Sequence, residues 1–384
     1  MKILMVTATA PSHFYPLVPV AWAARSAGHE VRVAHQPSLT AAVVASGLPS
    51  VPAGEDVDLA AVAARWRAQN APGPGAGPDP ESAVRHAVGL FVAIAEAMID
   101  DVMLFCRRWA PDLIVYEPTG YAGHLASTAL GVPAVRHLVG PDFSAGLAGT
   151  EQELATDLYK RHGVTEIDLT GDLTLDPCPP VLQAPYPPQQ RQLVRYLPYN
   201  GAGQVPRWVL EEHDRPRVCV TWGTTFARVT GHLAPARRVL EALADLDVDV
   251  IAAVTAGHSG MLGEVPDRVR VVEELPLNYF LPTCSAIVHH GGDNTTLTAS
   301  ALGVPQLIIP LTFNPFSPAK AVATAGAGLH TDGSDPTVAA LRDGIAALLG
   351  DARYRHGARR LARLCRTMPS SGEAVASLER LGGR

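Results

Sequence analysis

The chain has 384 residues, 47% of them hydrophobic and 18% charged, with a formal net charge of −6. That apolar share excludes a mostly disordered chain, and the length fits two or three domains, each able to bury a core. No apolar run reaches the ~18–20 residues of a membrane helix, and a mildly acidic balance without a basic block excludes wholesale nucleic-acid binding.

Residues 2–7 form a short apolar run, too brief for a signal peptide, and read as a first buried strand. Residues 16–27 carry apolar positions at helical spacing and end at Gly28; 29–35 alternate as a strand; 39–47 read as a second helix closed by glycine. Pro and Gly fill 71–80, so that stretch is expected to be a loop. A long helix over 81–109 follows, then a strand at 112–116, a helix at 122–130 and a strand at 132–138. The pattern weakens over the turn-rich and charged residues 196–217, the expected linker. Alternation then restarts, with strands at 218–221, 249–254, 269–272, 286–289 and 306–309. Helices are expected at 234–244, 295–302 and 319–325, followed by a long helical C-terminal region. Strand alternating with helix predicts two Rossmann-like, doubly wound parallel-sheet domains facing across a cleft. Their expected bounds are 1–205 and 206–365, with 366–384 as a helix packing back on the first domain. The five cysteines (Cys106, Cys178, Cys219, Cys284 and Cys365) are scattered and form no C-x-x-C pair, which predicts buried thiols in a cytoplasmic protein rather than disulfides or a zinc site.

In such sheets ligands bind beyond the carboxyl ends of the strands. The densest candidate runs His289-His290-Gly291-Gly292-Asp293-Asn294-Thr295-Thr296, where a strand ends, two glycines turn and a helix opens. Backbone N–H groups at a helix start, with the positive end of its dipole, suit a phosphate or diphosphate. A second strand end, Thr221-Trp222-Gly223-Thr224-Thr225, offers another glycine and hydroxyl turn; a third, Glu273-Glu274-Leu275-Pro276, offers extended backbone to a flat base. Neither G-x-G-x-x-G nor G-x-x-x-x-G-K-[ST] occurs at these turns, which counts against dinucleotide and P-loop readings.

Residues 282–310, P-T-C-S-A-I-V-H-H-G-G-D-N-T-T-L-T-A-S-A-L-G-V-P-Q-L-I-I-P, strongly resemble the donor signature of GT-B nucleotide-sugar glycosyltransferases. The nearest likeness is to actinobacterial enzymes that attach deoxysugars to antibiotics; residues 176–180 and 194–201 resemble further segments of that group. The resemblance implies that His290 binds the donor diphosphate, with Gly291, Gly292, Asn294, Thr295 and Thr296 forming its cradle and Thr221, Gly223 and Thr224 touching phosphate. It implies that the backbone of Leu275 pairs with the pyrimidine, while Glu274 stands where many relatives have a stacking aromatic. It makes His13, in Pro11-Ser12-His13-Phe14, the general base, because imidazole can take an acceptor's proton near neutral pH. Glu117 matches the acid that would orient that imidazole, with Asp142 in reserve; Phe14, Asp142 and Phe143 are expected at the acceptor.

Where many relatives place Asp-Gln against sugar hydroxyls, this chain has Asn314 and Pro315, which favours a hydroxyl-poor sugar. The expected activity is an inverting transfer, without metal or cofactor, of a deoxysugar from a TDP-sugar co-substrate to a hydroxyl of a hydrophobic aglycone. C-glycosylation of an aromatic polyketide and a non-catalytic nucleotide-sugar-binding helper subunit are the alternatives. Expected partners are donor and acceptor, with no nucleic acid or membrane; a homodimer and an accessory protein are left open. The D-x-D-like residues Asp245, Asp247 and Asp249 fall in a helix-to-strand connection away from the strand ends.

Overall fold

The computed structural model describes every residue except 9, 59–60, 63–79, 185–189, 225, 228–230, 312–317, 334 and 384. The loop expected over 71–80 lies almost wholly outside the described residues, as do Thr225, Asn314 and Pro315. The chain forms two compact α/β units: Met1–Pro177, Ala184–Val194 and Pro369–Arg384 make one, Cys178–Gln183 and Arg195–Met368 the other.

The first unit is built on a seven-stranded parallel sheet. Its strands are β1 (Lys2–Val6), β2 (Glu30–His35), β3 (Ser50–Pro52), β4 (Leu113–Tyr116), β5 (Ala134–His137), β6 (Leu173–Asp176) and β7 (Arg191–Leu193). Their spatial order is β3-β2-β1-β4-β5-β6-β7. The connections include α1 (Pro11–Phe14), α2 (Val18–Ser26), α3 (Thr40–Ala45), α4 (Pro80–Trp109), α5 (Tyr121–Leu130) and α6 (Ala148–Arg161). β4 is buried along its whole length and β1 from Ile3 onward, which is why they read as unbroken apolar runs: both faces of a parallel sheet are covered. On α4, Val88, Ile94, Met98, Val102 and Cys106 recur at helical spacing and join Leu4, Val6, Ile114 and Leu125 in one core.

The second unit carries a six-stranded parallel sheet. It comprises β8 (Arg217–Thr221), β9 (Asp249–Val254), β10 (Val269–Glu273), β11 (Ala286–His289), β12 (Gln306–Ile308) and β13 (Gly328–His330), in the order β10-β9-β8-β11-β12-β13. Its helices are α7 (Ala234–Leu243), α8 (Leu277–Phe280), α9 (Asp293–Leu302), α10 (Ala319–Thr324), α11 (Val338–Gly350) and α12 (Ala352–Thr367). Pro369 follows α12, and Ser370 and Glu373 form a reciprocal capping box that starts α13 (Ser371–Gly382). α13 belongs to the first unit, where it packs on α2 and Glu379 meets His29 Nε2 at 3.0 Å.

Two details differ from the sequence reading. The turn-rich stretch after residue 195 is anchored within the second unit by Tyr196 and Asn200, so the units exchange at Val194–Arg195 rather than near 205. The strands β3, β6, β7 and β13 and the helices α1, α6 and α8 were not anticipated. β3, β7 and β13 have only three residues each and lie at sheet edges, where one-sided pairing requires no apolar run. Among the described residues no helix is long and apolar enough to cross a membrane.

Candidate active site

In each sheet the strand order reverses at one pair of neighbours, β1 and β4 in the first unit and β8 and β11 in the second. Connections leave such a pair in opposite directions and open a crevice beyond its carboxyl ends. The candidate residues of each unit converge there.

In the first unit Val6 lies in register with Tyr116, so the segment after β1 runs beside the segment after β4. Proline at the first position of α1 presets the backbone there, and His13 sits in the single turn of that helix. Its Nδ1 lies 3.1 Å from Glu117 Oε2; the acid side chain is fully buried and the imidazole 24% exposed. Glu117 is held on several sides: Oε1 accepts from Ala8 N at 3.1 Å and from the Thr119 hydroxyl at 2.7 Å, and Oε2 accepts from Thr119 N at 2.8 Å. Burial alone would push this carboxyl up, but the charge and hydrogen bond of His13, with the two bonds from Thr119, outweigh it and hold the carboxyl below its ordinary range. An ionised acid on Nδ1 fixes the tautomer in which Nε2 is the basic nitrogen. The Phe91 ring of α4, 6.4 Å from the imidazole centroid to centroid, gives His13 an apolar neighbour.

Of the two acids considered for His13, Glu117 makes the bond. Asp142 is instead paired with Arg136 Nη2 at 2.9 Å, with both side chains buried, and accepts from Ser144 N and Oγ. Asp142, Arg136 and Ser144 line a cavity of about 270 Å³ together with Glu151, Ile167 and Leu169. Phe143 packs against the core of the unit. Phe14, expected at the acceptor, is fully buried with its ring 6.0 Å from that of Tyr15, the position of a core residue.

In the second unit His289 is in register with Thr221, which sets the turn after β11 beside the turn after β8. The two histidines then divide. His289 is fully buried, accepts Gly291 N on Nδ1 at 3.1 Å and meets Gln306 Oε1 through Nε2 at 3.0 Å; burial pushes it down to about 3, so it is a neutral brace for the turn. His290 is partly exposed and lies between two glycines: a Cβ on Gly223 would stand 2.7 Å from its Cε1, and one on Gly292 would stand 2.6 Å from its Nε2. Gly223 also has φ of +67°, a backbone region costly for other residues. Loss of water pushes His290 down to about 4 against a backbone contact with Thr221, leaving a neutral imidazole at pH 7.

Gly292 caps α9 without a side-chain bond, so the first-turn amides open at the corner beside His290. Asn294 and Thr295 belong to that first turn. Thr296 is fully buried and its hydroxyl donates to Gly292 O at 3.0 Å, bracing the turn. Thr221 is buried and accepts Gly223 N at 3.3 Å, whereas Thr224 is exposed. Leu275 packs partly buried at the end of β10, directly after Glu274, whose φ is +49°. Asn314 lies outside the described residues. Asp245 and Asp247 are exposed and paired with arginines: Asp245 with Arg342, Asp247 with Arg215 and Arg268.

Thr119 was missed by the sequence reading although it stands only two residues beyond Glu117, a spacing at which a hydroxyl and its own amide can both reach back to a carboxylate. Phe91 was missed because one aromatic in a long amphipathic helix carries no signal apart from core packing.

Residues 22–223 match the family model described as erythromycin biosynthesis protein CIII-like, N-terminal domain, and residues 237–381 match its C-terminal domain. The 10-deoxymethynolide desosaminyltransferase of Streptomyces venezuelae is 34% identical over 100% of this chain and 98% of its own length. The tylactone mycaminosyltransferase of Streptomyces fradiae is 35% identical over 99% and 92%, respectively. Among solved structures, spinosyn rhamnosyltransferase SpnG complexed with thymidine diphosphate matches with a TM-score of 0.85 at 31% identity, covering 99% of this chain and 100% of that one. With two parallel α/β units of the GT-B kind and both family domains present along its length, the chain belongs to the erythromycin biosynthesis protein CIII-like family and is a glycosyltransferase.

Proposed function

We propose that the protein transfers a deoxysugar from a TDP-sugar to a hydroxyl of a hydrophobic polyketide-type acceptor, with inversion at the anomeric carbon, in the cytoplasm. The buried Glu117–Thr119 arrangement around His13 Nδ1 carries this reading, because it makes Nε2 a base. His13 Nε2 takes the acceptor's hydroxyl proton as that oxygen attacks C1 of the sugar. The bond from C1 to the diphosphate oxygen breaks, and its electron pair leaves with TDP. Charge gathers on the departing diphosphate, and the first-turn amides of α9, with a neutral His290 donating one N–H, meet it without reorganisation. Glu117 stays ionised and stabilises the imidazolium until the proton is passed on. The backbone beside Leu275 is the proposed partner of the thymine. Asn314 and Pro315, in place of side chains that hold sugar hydroxyls, favour a donor with fewer of them.

The named relatives that act on 10-deoxymethynolide and tylactone, and SpnG complexed with spinosyn aglycone, support a macrolide-like acceptor. Phe91 beside His13 supplies an apolar surface for one. The test is turnover of purified protein with TDP-deoxysugars and with UDP-glucose on a panel of macrolactones, the product anomer being read by NMR. Deoxysugar donors are expected to be strongly preferred with inversion; equal rates, or retention, would overturn the reading. His13→Ala should still bind TDP while turnover falls ~10²–10⁴-fold; unchanged turnover would point to another base or to a helper subunit.

A further inference from the structure

We infer that residues 196–203 form a strap that positions the donor site, with Tyr196 and Asn200 tying the diphosphate corner at the start of α9 to the nucleobase end at the start of α8. The inference rests on the donor reading above, since it takes those two turns to be the two ends of one nucleotide site.

The strap lies within the second unit. Tyr196 is 4% exposed, and its hydroxyl lies 3.3 Å from Asn294 O in the first turn of α9 and 3.2 Å from Thr298 Oγ1 one turn on. Burial pushes the phenol up, so it remains a hydrogen-bond donor throughout the neutral range. Asn200 uses both ends of its carboxamide. Its Nδ2 donates to Thr298 Oγ1 at 3.1 Å, and its Oδ1 accepts from Asn278 N at 3.1 Å. Asn278 is the second residue of α8, whose N-cap position is Pro276, with no side-chain cap of its own; Asn200 supplies that cap from a distant part of the chain. At Gly203 the strap passes so close to the α8 turn that a Cβ would lie 2.9 Å from Pro276 Cδ.

One short segment thus grips the helix whose amides would hold the diphosphate and the turn that follows Leu275. Neither Tyr196 nor Asn200 is placed to touch the reacting atoms; each acts through the backbone it holds. An unbridged amide or hydroxyl is costly only when buried, and Tyr196 and Thr298 are both buried, so the geometry is enforced rather than incidental.

The test uses the full-length protein, with TDP binding measured by calorimetry and donor and acceptor KM measured separately. Asn200→Ala is expected to weaken TDP about tenfold and to raise donor KM to match, with acceptor KM and kcat at saturating donor nearly unchanged. Tyr196→Phe removes one oxygen and keeps the packing, so it serves as the second variant should Asn200→Ala fail to fold, and a several-fold loss of TDP affinity is expected. Asn200→Asp keeps the cap on Asn278 and should recover part of the loss. Wild-type TDP affinity in folded Asn200→Ala and Tyr196→Phe overturns the inference, as does an equal loss of acceptor affinity, which would mark general loosening. Failure of the wild-type protein to bind TDP would instead overturn the donor reading, and the inference with it.

Discussion

Replacing Glu117 with glutamine tests the catalytic half of the reading most directly. Glu117→Gln conserves shape while changing what the two terminal atoms can do. Today both oxygens accept: one from Ala8 N and the Thr119 hydroxyl, the other from Thr119 N and His13 Nδ1. A carboxamide has one accepting oxygen, so in either orientation its NH2 faces a backbone N–H, that of Ala8 or that of Thr119. One buried donor is then left unpaired, at a cost of about 1–3 kcal/mol in stability. If the NH2 lies toward His13, it donates to Nδ1 and reverses the tautomer: Nε2 then carries the hydrogen and has no lone pair for the acceptor's proton. If it lies away, Nδ1–H keeps its partner, but the charge that stabilises the imidazolium is gone. Both routes predict a fall in kcat of ~10²–10⁴-fold, equivalent to about 3–5 kcal/mol in the barrier. The residues read as holding TDP belong to the other unit, so the TDP dissociation constant should stay within twofold of wild type. Single-turnover kinetics, calorimetry with TDP and a thermal melt separate the three effects. A variant that folds, binds TDP and keeps kcat within a few-fold of wild type would refute the assignment of His13 and Glu117 as base and orienting acid.

The remaining predictions concern the second unit and the response to acid. Gly292→Ala has an ordinary φ of −66°, so it changes packing alone: its Cβ would stand 2.6 Å from His290 Nε2, and the displaced ring should weaken TDP at least tenfold by calorimetry. Unaltered TDP affinity there would remove His290 from the diphosphate site. Gly223→Ala adds backbone strain at φ +67°, so it should also lower the melting temperature. His124 and His137 are pushed down to about 4 and His289 to about 3, chiefly by burial, so each stays neutral in the fold and takes a proton when unfolded below pH ~6.5. Their stabilising contribution is complete above that pH and is lost as pH falls toward 4, and toward 3 for His289, on the order of 3–5 kcal/mol each at the limit. Denaturant midpoints that are flat between pH 7 and pH 5 would contradict this.

The turn read as the diphosphate corner was legible in the sequence as a strand end, a turn and a helix start, because His289 to Thr296 holds all three in one run, and the parallel α/β architecture follows from the same alternation. Within that run, the split between His289 and His290 was not legible. It depends on Gln306, reached across the parallel pairing of β11 with β12, and on Gly223, reached across that with β8. The proposed base and its orienting acid were legible only as a choice between two acids. His13 and Glu117 are 104 residues apart, and the register of Val6 with Tyr116 brings them together, a pairing no local pattern encodes. Asp142 was a fair competitor until Arg136 on β5 claimed it. Phe14 reads like any exposed loop aromatic in the sequence, and its complete burial follows from the single helical turn that starts at Pro11.

The two candidate sites use opposite electrostatics at equivalent places in their sheets. In the first unit a fully buried carboxylate is kept charged by donors that outweigh its loss of water, so the site holds a fixed negative charge ready for a proton arriving on His13. In the second, loss of water holds both histidines neutral, the fully buried His289 and the partly exposed His290, and what remains for an anion is dipolar: amides at a helix start and a neutral N–H. A fixed cation there would bind the donor and the released TDP strongly alike, deepening both wells without favouring the barrier between them. Oriented dipoles that strengthen as charge accumulates on the leaving oxygen favour the transition state more selectively, and they let the product go.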